Sequence, residues 1–144
     1  MECIRLNTKV TELFYFPEIK YLHLFLKADV EYSLENVESD FKTIHELKKD
    51  DNIFVLIDMT EASFEHIPKE TLHYMASSPY KKYQKKIAII TKELGTKLLG
   101  NFYLKYFKPE AKTRLFTKSE EALLWFGIPQ NKFPQIEQAL QHNR

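Results

Sequence analysis

The stretch FVLIDMTEASFEHIPKE, residues 54–70, decides the fold because it joins a buried strand to a helix. The run IFVLIDM at 53–59 is apolar on both faces, which is typical of a parallel strand covered by helices. It ends at Asp58, and polar residues lead to Pro68, a residue suited to the first turn of a helix. The sequence therefore predicts an α/β unit with an acidic side chain at the end of its strand.

The residues before this unit favour antiparallel strands. Short apolar runs at 3–6 and 13–16 are predicted strands, and a third follows at 19–27. Their short connections favour antiparallel pairing. In the third strand the leucines fall on one face, and the opposite face carries Tyr21, His23 and Phe25.

The residues after it predict a parallel sheet. KIAII (86–90) and TRLF (113–116) read as buried strands separated by helical segments, so we expect right-handed crossover connections. Ser33 is the expected N-cap of a helix at 34–47. Thr117 and Glu120 have the spacing of a capping box for a further helix, which Gly127 ends.

Composition excludes several classes of protein. The 144 residues suit one domain, with 44% hydrophobic and 28% charged residues. No apolar run approaches the roughly 20 residues of a membrane span, and the N-terminus lacks the pattern of a secretory signal. The single cysteine, Cys3, excludes an internal disulfide and a four-cysteine zinc site. We expect a cytoplasmic protein.

Charge is divided along the chain. Residues 1–66 carry 7 Lys/Arg and 14 Asp/Glu, whereas residues 67–144 carry 14 Lys/Arg and 6 Asp/Glu. The two parts either pack into a mixed surface or form an anion-binding or self-complementary surface. The basic run YKKYQKK at 80–86 interleaves lysines with tyrosines, but no nucleic-acid recognition motif accompanies it, so nucleic acid is not the expected partner.

Four segments in series carry a family resemblance: VLIDMT (55–60), KKIAIIT (85–91), LGTKLLGNFYLKYFKP (94–109) and TRLFTKSEEALLWF (113–126). In this order and spacing they resemble the STAS/SpoIIAA-like family, within the group of bacterial STAS/SEC14 domain-containing proteins. The resemblance implies a mixed sheet flanked by helices and used for binding rather than catalysis. We therefore expect a STAS-like domain at 1–128 and a C-terminal helical extension at 129–144.

The resemblance also bears on regulation. In anti-anti-sigma factors of this family, a serine at the start of the helix after the central strand is phosphorylated. The equivalent position here falls near Ile67, Pro68 and Lys69, and none of these accepts phosphate from a serine/threonine kinase. The phosphorylation switch is therefore not expected in this chain.

Two adjoining regions are the predicted binding surface. Ligands of open α/β sheets bind beyond the carboxyl ends of the parallel strands, although an acid or threonine there also serves turns and helix caps. The helix at 93–107 is apolar around most of its circumference, which predicts that a second side is also covered: by the C-terminal helix, a second subunit, a partner, an apolar ligand or a membrane surface. The candidate binding residues are Asp58, Thr60, Ser63, Thr91, Lys92, Thr96, Lys97, Phe102, Tyr103 and Tyr106.

Catalytic and metal sites find little support in the sequence. Three glycines cannot build a Walker loop or a GxGxxG turn, and no serine lies in a GxSxG elbow. His66, Glu70 and His73 do not have the spacing of a zinc protease.

The favoured function is a non-enzymatic protein-interaction module that forms a homodimer. The alternatives are a carrier or sensor of a small apolar or anionic lipid-like ligand and a hydrolase centred on Asp58 and His66. No cofactor, metal or catalytic residue is expected.

Overall fold

A computed structural model describes residues 1–77, 84–92, 105 and 112–142. The strands in these ranges are β1 (Ile4–Asn7), β2 (Thr11–Phe16), β3 (Tyr21–Leu26), β4 (Ile53–Asp58), β5 (Gln84–Ile90) and β6 (Lys112–Phe116). The helices are α1 (Leu34–Lys48), α2 (Lys69–Ser77), α3 (Ser119–Phe126) and α4 (Phe133–His142). Single 3-10 turns lie at Pro17–Ile19, Phe64–His66 and Gln130–Lys132. The predicted helix at 93–107 falls outside the described residues, apart from residue 105.

The strands form one mixed sheet in which each strand lies beside its neighbour in the chain, in the order β1-β2-β3-β4-β5-β6. β2 is antiparallel to both of its neighbours, β1 and β3, whereas β3, β4, β5 and β6 are parallel. This arrangement confirms the predicted mixed α/β sheet. Short turns join the antiparallel strands, whereas a parallel neighbour requires a long crossover.

Helices cover both faces of the sheet, and a separate apolar core lies on each. The α1–α2 core combines strand residues such as Leu13, Leu22, Val55 and Ile87 with Val37, Ile44 and Met75 of the two helices. The α3–α4 core combines Phe14, Phe16, Tyr21, Leu56 and Ala88 with Leu123, Phe126 and Ile136. Successive residues of a strand point to opposite faces, so β4 contributes to both cores, as its continuous apolar run predicts.

The helix ends follow local sequence in two places out of three. The Asn36 N–H donates to the Ser33 side-chain oxygen at 3.1 Å, so the predicted N-cap is confirmed. Gly127 ends α3 at φ 83°, a left-handed conformation that glycine adopts without a steric penalty. The predicted capping box is wrong, because α3 begins one residue later: Lys118 is the N-cap and makes no side-chain cap bond.

A buried carboxylate joins the turn between β1 and β2 to α1. Asp40, which is 4% exposed, accepts hydrogen bonds from the hydroxyl groups of Thr8 and Thr11, the latter at 2.8 Å. Burial raises the pKa of Asp40, while the two threonine hydrogen bonds and the charge of Lys27 act in the opposite direction. A buried charge is tolerated when such hydrogen bonds replace water.

Candidate functional site

Tyr21 and His23 form a buried polar pair on the face of β3 that lies against α3 and α4. The residues are 0% and 2% exposed, and the Tyr21 phenol oxygen lies 2.6 Å from Nδ1 of His23. Alternation along the strand places both side chains on the same face, whereas Leu22 and Leu24 between and beyond them enter the α1–α2 core. The strand therefore carries two hydrogen-bonding groups into an apolar layer.

The protonation of the phenol follows from its burial. Burial raises the pKa of Tyr21 well above its ordinary value, and the charge of Asp58 adds to the shift, so the phenol keeps its proton. Nδ1 of His23 is its one hydrogen-bond partner among the described residues. Because a buried hydroxyl donates to the acceptor within its reach, we infer that the phenol donates to Nδ1.

Aromatic rings hold the pair in place. The His23 ring lies 4.4 Å from the Phe25 ring and meets the Tyr21 ring edge-on at 5.9 Å, centroid to centroid. Tyr21 is stacked on Phe16 at 5.7 Å and contacts Phe126 of α3 at 6.0 Å. Offset and edge-to-face contacts of this kind are the preferred arrangements of aromatic rings, so the hydrogen bond has a fixed geometry.

A cleft of about 440 Å³ opens between this pair and the two helices. Tyr21 and His23 lie at its buried end, Leu123, Phe133, Ile136 and Leu140 form its apolar walls, and Lys118, Ser119, Glu120 and Glu137 lie at its mouth. We call it the Tyr21–His23 cleft. An apolar cleft with a few convergent polar groups is the usual form of a small-molecule site.

Three of the predicted site residues lie at the end of β4 or in the loop that follows it. Asp58 is half-buried at the strand end, and its Oδ1 accepts from the N–H of Thr60 at 2.9 Å and from the Thr60 hydroxyl at 2.6 Å. The Ser63 hydroxyl accepts from the N–H of Glu65 at 3.3 Å and begins the following 3-10 turn. Turn formation thus accounts for these hydrogen bonds.

Thr91 and Lys92 follow β5 at the same edge of the sheet. The N–H of Met59 donates to Ile90 O, and the N–H of Thr91 donates to Phe116 O, both at 2.9 Å, so the strand ends do meet there. Asp58 pairs with Ile90 in register, and Thr91 therefore points to the opposite face. Thr91 is fully buried, and Lys92 is exposed. The predicted residues Thr96, Lys97, Phe102, Tyr103 and Tyr106 lie outside the described residues.

The Tyr21–His23 cleft was not among the sites predicted from the sequence. The signal was the alternation of Tyr21, His23 and Phe25 along β3, which put one histidine among aromatic residues on a covered face. The residues that complete the cleft come from α3 and α4, about a hundred positions away. Spacing along the chain does not reveal a contact over that separation.

The described ranges contain no group of three His, Cys, Asp or Glu side chains that could hold a metal ion. They also contain no helix that is long and apolar enough to cross a membrane.

Comparison with known protein families shows to which family the chain belongs. The profile of a domain of unknown function, DUF7793, matches residues 18–127. The chain belongs to the DUF7793 family. The match extends from the turn before β3 to the glycine that ends α3, and so includes most of the sheet. No curated protein matches the sequence significantly.

A solved structure shows the fold of this DUF7793 domain. The chain is similar to an uncharacterised protein of the DUF3478 family from Shewanella loihica PV-4, which has a SpoIIAA-like fold. The TM-score is 0.53 at 17% identity, and the match covers 86% of this chain and 91% of the other. The fold is therefore SpoIIAA-like, which confirms the resemblance found in the sequence.

Proposed function

We propose that this DUF7793 domain is a non-enzymatic binding module that holds a small, largely apolar molecule in the Tyr21–His23 cleft. The observation that carries the proposal is the buried Tyr–His pair at the inner end of an apolar cleft of about 440 Å³. Ligand sites commonly enclose roughly 300–1,000 Å³ and combine apolar walls with few polar groups. Of the functions considered, a carrier or sensor of a lipid-like molecule fits this geometry best.

The polar groups of the cleft indicate what the ligand carries. Lys118 at the mouth has an ammonium group, which is a hydrogen-bond donor without an acceptor. A ligand with one accepting group, such as a hydroxyl, carbonyl or carboxylate oxygen, matches it. Glu120 and Glu137 at the mouth oppose the entry of a second negative charge.

The same geometry favours binding over catalysis. The Tyr21 phenol keeps its proton far above neutral pH, so it is not a nucleophile or a base. Asp58 uses Oδ1 to hold the turn at Thr60. His66, the other residue of the hydrolase alternative, is exposed within the 3-10 turn at Phe64–His66.

Ligand capture tests the proposal. Native mass spectrometry of the purified chain should detect a bound mass that is lost on denaturation. Octanoate, 1-octanol and octylamine share one apolar tail and differ in the polar group. We expect octanoate or 1-octanol to raise the melting temperature more than octylamine does.

A matched pair of tryptophan variants locates the site. Leu140→Trp fills the cleft, whereas Leu124→Trp places the same side chain at a 51% exposed position of α3 outside it. Leu140→Trp should abolish binding, and Leu124→Trp should retain it. A wild-type chain with no bound mass and no response to any probe would refute the proposal, and so would equal binding by both variants.

A protein-interaction module that forms a homodimer is the second candidate function. The feature in its favour is the outer edge of β1, which pairs with β2 alone within the described sheet. An open strand edge can pair with a second chain. Light scattering of the chain across a concentration series tests this candidate; a monomer at every concentration would reject the dimer.

A further inference from the structure

Four cations cluster at the end of the sheet opposite to Asp58. Lys85 and Lys86 lie near the start of β5, and Lys112 and Arg114 lie on β6. Lys86 is directly opposite Lys112 in the parallel pair, and Arg114 is the next residue on the same face, opposite Ala88. We call these four residues the basic quartet.

No carboxylate neutralises the quartet within the described part of the chain. The ion pairs found there join Arg5 to Glu12, Lys20 to Asp51 and Lys132 to Glu18. Like charges directly across two strands destabilise a sheet. The Lys86–Lys112 pair therefore has an electrostatic cost that a bound anion would remove.

Aromatic rings hold three of the four cations. Lys86 Nζ lies 4.9 Å from the centroid of the Trp125 ring and donates to Trp125 O at 2.9 Å. The Arg114 guanidinium carbon lies 5.8 Å from the same ring, and Lys85 Nζ lies 5.2 Å from the Phe54 ring. Cation–π contacts restrict the motion of these long side chains before any ligand binds. Binding of an anion therefore costs less side-chain entropy.

We propose that the basic quartet binds a multiply charged phosphate group. Arginine offers a planar fork of donors to phosphate oxygens, and lysines supply point charges beside it. A phosphate group brings more charge to one place than a single carboxylate does, which suits cations on adjacent strands about 4.8 Å apart. The rings of Trp125 and Phe54 are already covered by cations, so a small oligophosphate fits better than stacked nucleic-acid bases. This site is separate from the Tyr21–His23 cleft.

Titration with tripolyphosphate at low salt tests the proposal. Isothermal calorimetry should detect binding that weakens as salt is added, and the largest changes in amide NMR shift should fall on β6 and the start of β5. The double variant Lys112→Gln/Arg114→Gln should weaken binding by about tenfold or more, because two charge-assisted contacts are lost.

The control removes the same charge elsewhere. Lys9 and Lys69 are exposed and lie outside the quartet, so Lys9→Gln/Lys69→Gln should bind tripolyphosphate as the wild type does. Absence of binding, equal losses in the two double variants or shift changes away from β5 and β6 would overturn the proposal. Tighter binding of a poly-glutamate peptide or of oligo(dT) would also overturn it, because the quartet would then recognise a chain.

Discussion

Tyr21 and His23 are joined by a hydrogen bond of 2.6 Å between two side chains that solvent hardly reaches. The pair lies two residues apart on a strand, so its geometry depends on β3 and on the rings packed around it. The pair forms the polar end of the Tyr21–His23 cleft.

Tyr21→Phe removes the donor to Nδ1 and should cost about 1–3 kcal/mol of unfolding free energy, because a buried acceptor loses its partner. Urea denaturation measures the loss, and long-range ¹H–¹⁵N NMR of the wild type should find the proton of His23 on Nε2. Tyr15→Phe is the control, since its phenol donates at 3.1 Å to the partly exposed Asp51, which water can solvate. Equal losses, or a proton on Nδ1 in the wild type, would contradict the assignment.

Asp40 should make stability fall as pH rises over an acidic interval. Burial raises the pKa of Asp40 in the folded chain above the ordinary value of 3.8. At a pH between 3.8 and this raised pKa, the folded chain holds a proton on Asp40 that the unfolded chain has lost. The free energy of unfolding then decreases as pH rises through the interval. Relative to Asp40→Asn, the wild type should gain stability as pH is lowered; urea denaturation over a pH series measures the difference. Glu38→Gln, at an exposed position of α1, should show no such trend.

Gly127→Ala should cost about 1–2 kcal/mol because alanine resists the left-handed conformation. A Cβ at this position meets no atom within 4 Å, so the cost comes from the backbone alone. Gly127→Asn should cost less, since asparagine enters this conformation more readily. Thermal denaturation of both variants checks the order, and an alanine variant as stable as the wild type would disprove it.

Ile136→Ala should lower the free energy of unfolding by about 2–5 kcal/mol, because it leaves a cavity in the α3–α4 core. Ile136 is 2% exposed. The control is Leu124→Ala on the exposed side of α3, for which a change within about 0.5 kcal/mol is expected. Similar values for the two variants in chemical denaturation would mean that α4 contributes little to the core.

Truncation after residue 128 tests the predicted boundary of the C-terminal extension. A chain of residues 1–128 loses the α4 side chains that pack on the α3–α4 core, among them Ile136 and Phe133. We expect a lower melting temperature, stronger binding of the dye ANS to the uncovered surface and loss of cleft ligands. A truncated chain that melts like the full chain would make the extension a separate unit.

The sheet could be predicted from sequence because its signals are local. In β3, leucines alternate with Tyr21, His23 and Phe25, which assigns each residue to one face of the strand. In β4, the continuous apolar run indicates that both faces of the strand are covered. The N-cap at Ser33 and the end of α3 at Gly127 depend on a few adjacent residues. The predicted capping box was wrong by one residue, since α3 begins at Ser119 and Lys118, not Thr117, is its N-cap.

The candidate sites could not be predicted because they depend on contacts between distant parts of the chain. His23 and α4 line the same cleft although three strands separate them in the sequence, and Lys86 lies opposite Lys112 only in one strand register. The sequence of residues 54–70 predicted the end of β4, where the Asp58 carboxylate accepts hydrogen bonds from Thr60.

The order of the strands has a consequence for biosynthesis. Each strand of the sheet lies beside the one made just before it, so its partner has already been synthesised when the strand appears. As the chain leaves the ribosome, β1, β2 and β3 can pair first and the parallel strands can add in turn. The α3 and α4 residues that line the Tyr21–His23 cleft follow β6 in the chain, so the cleft is completed only after the strands have been made.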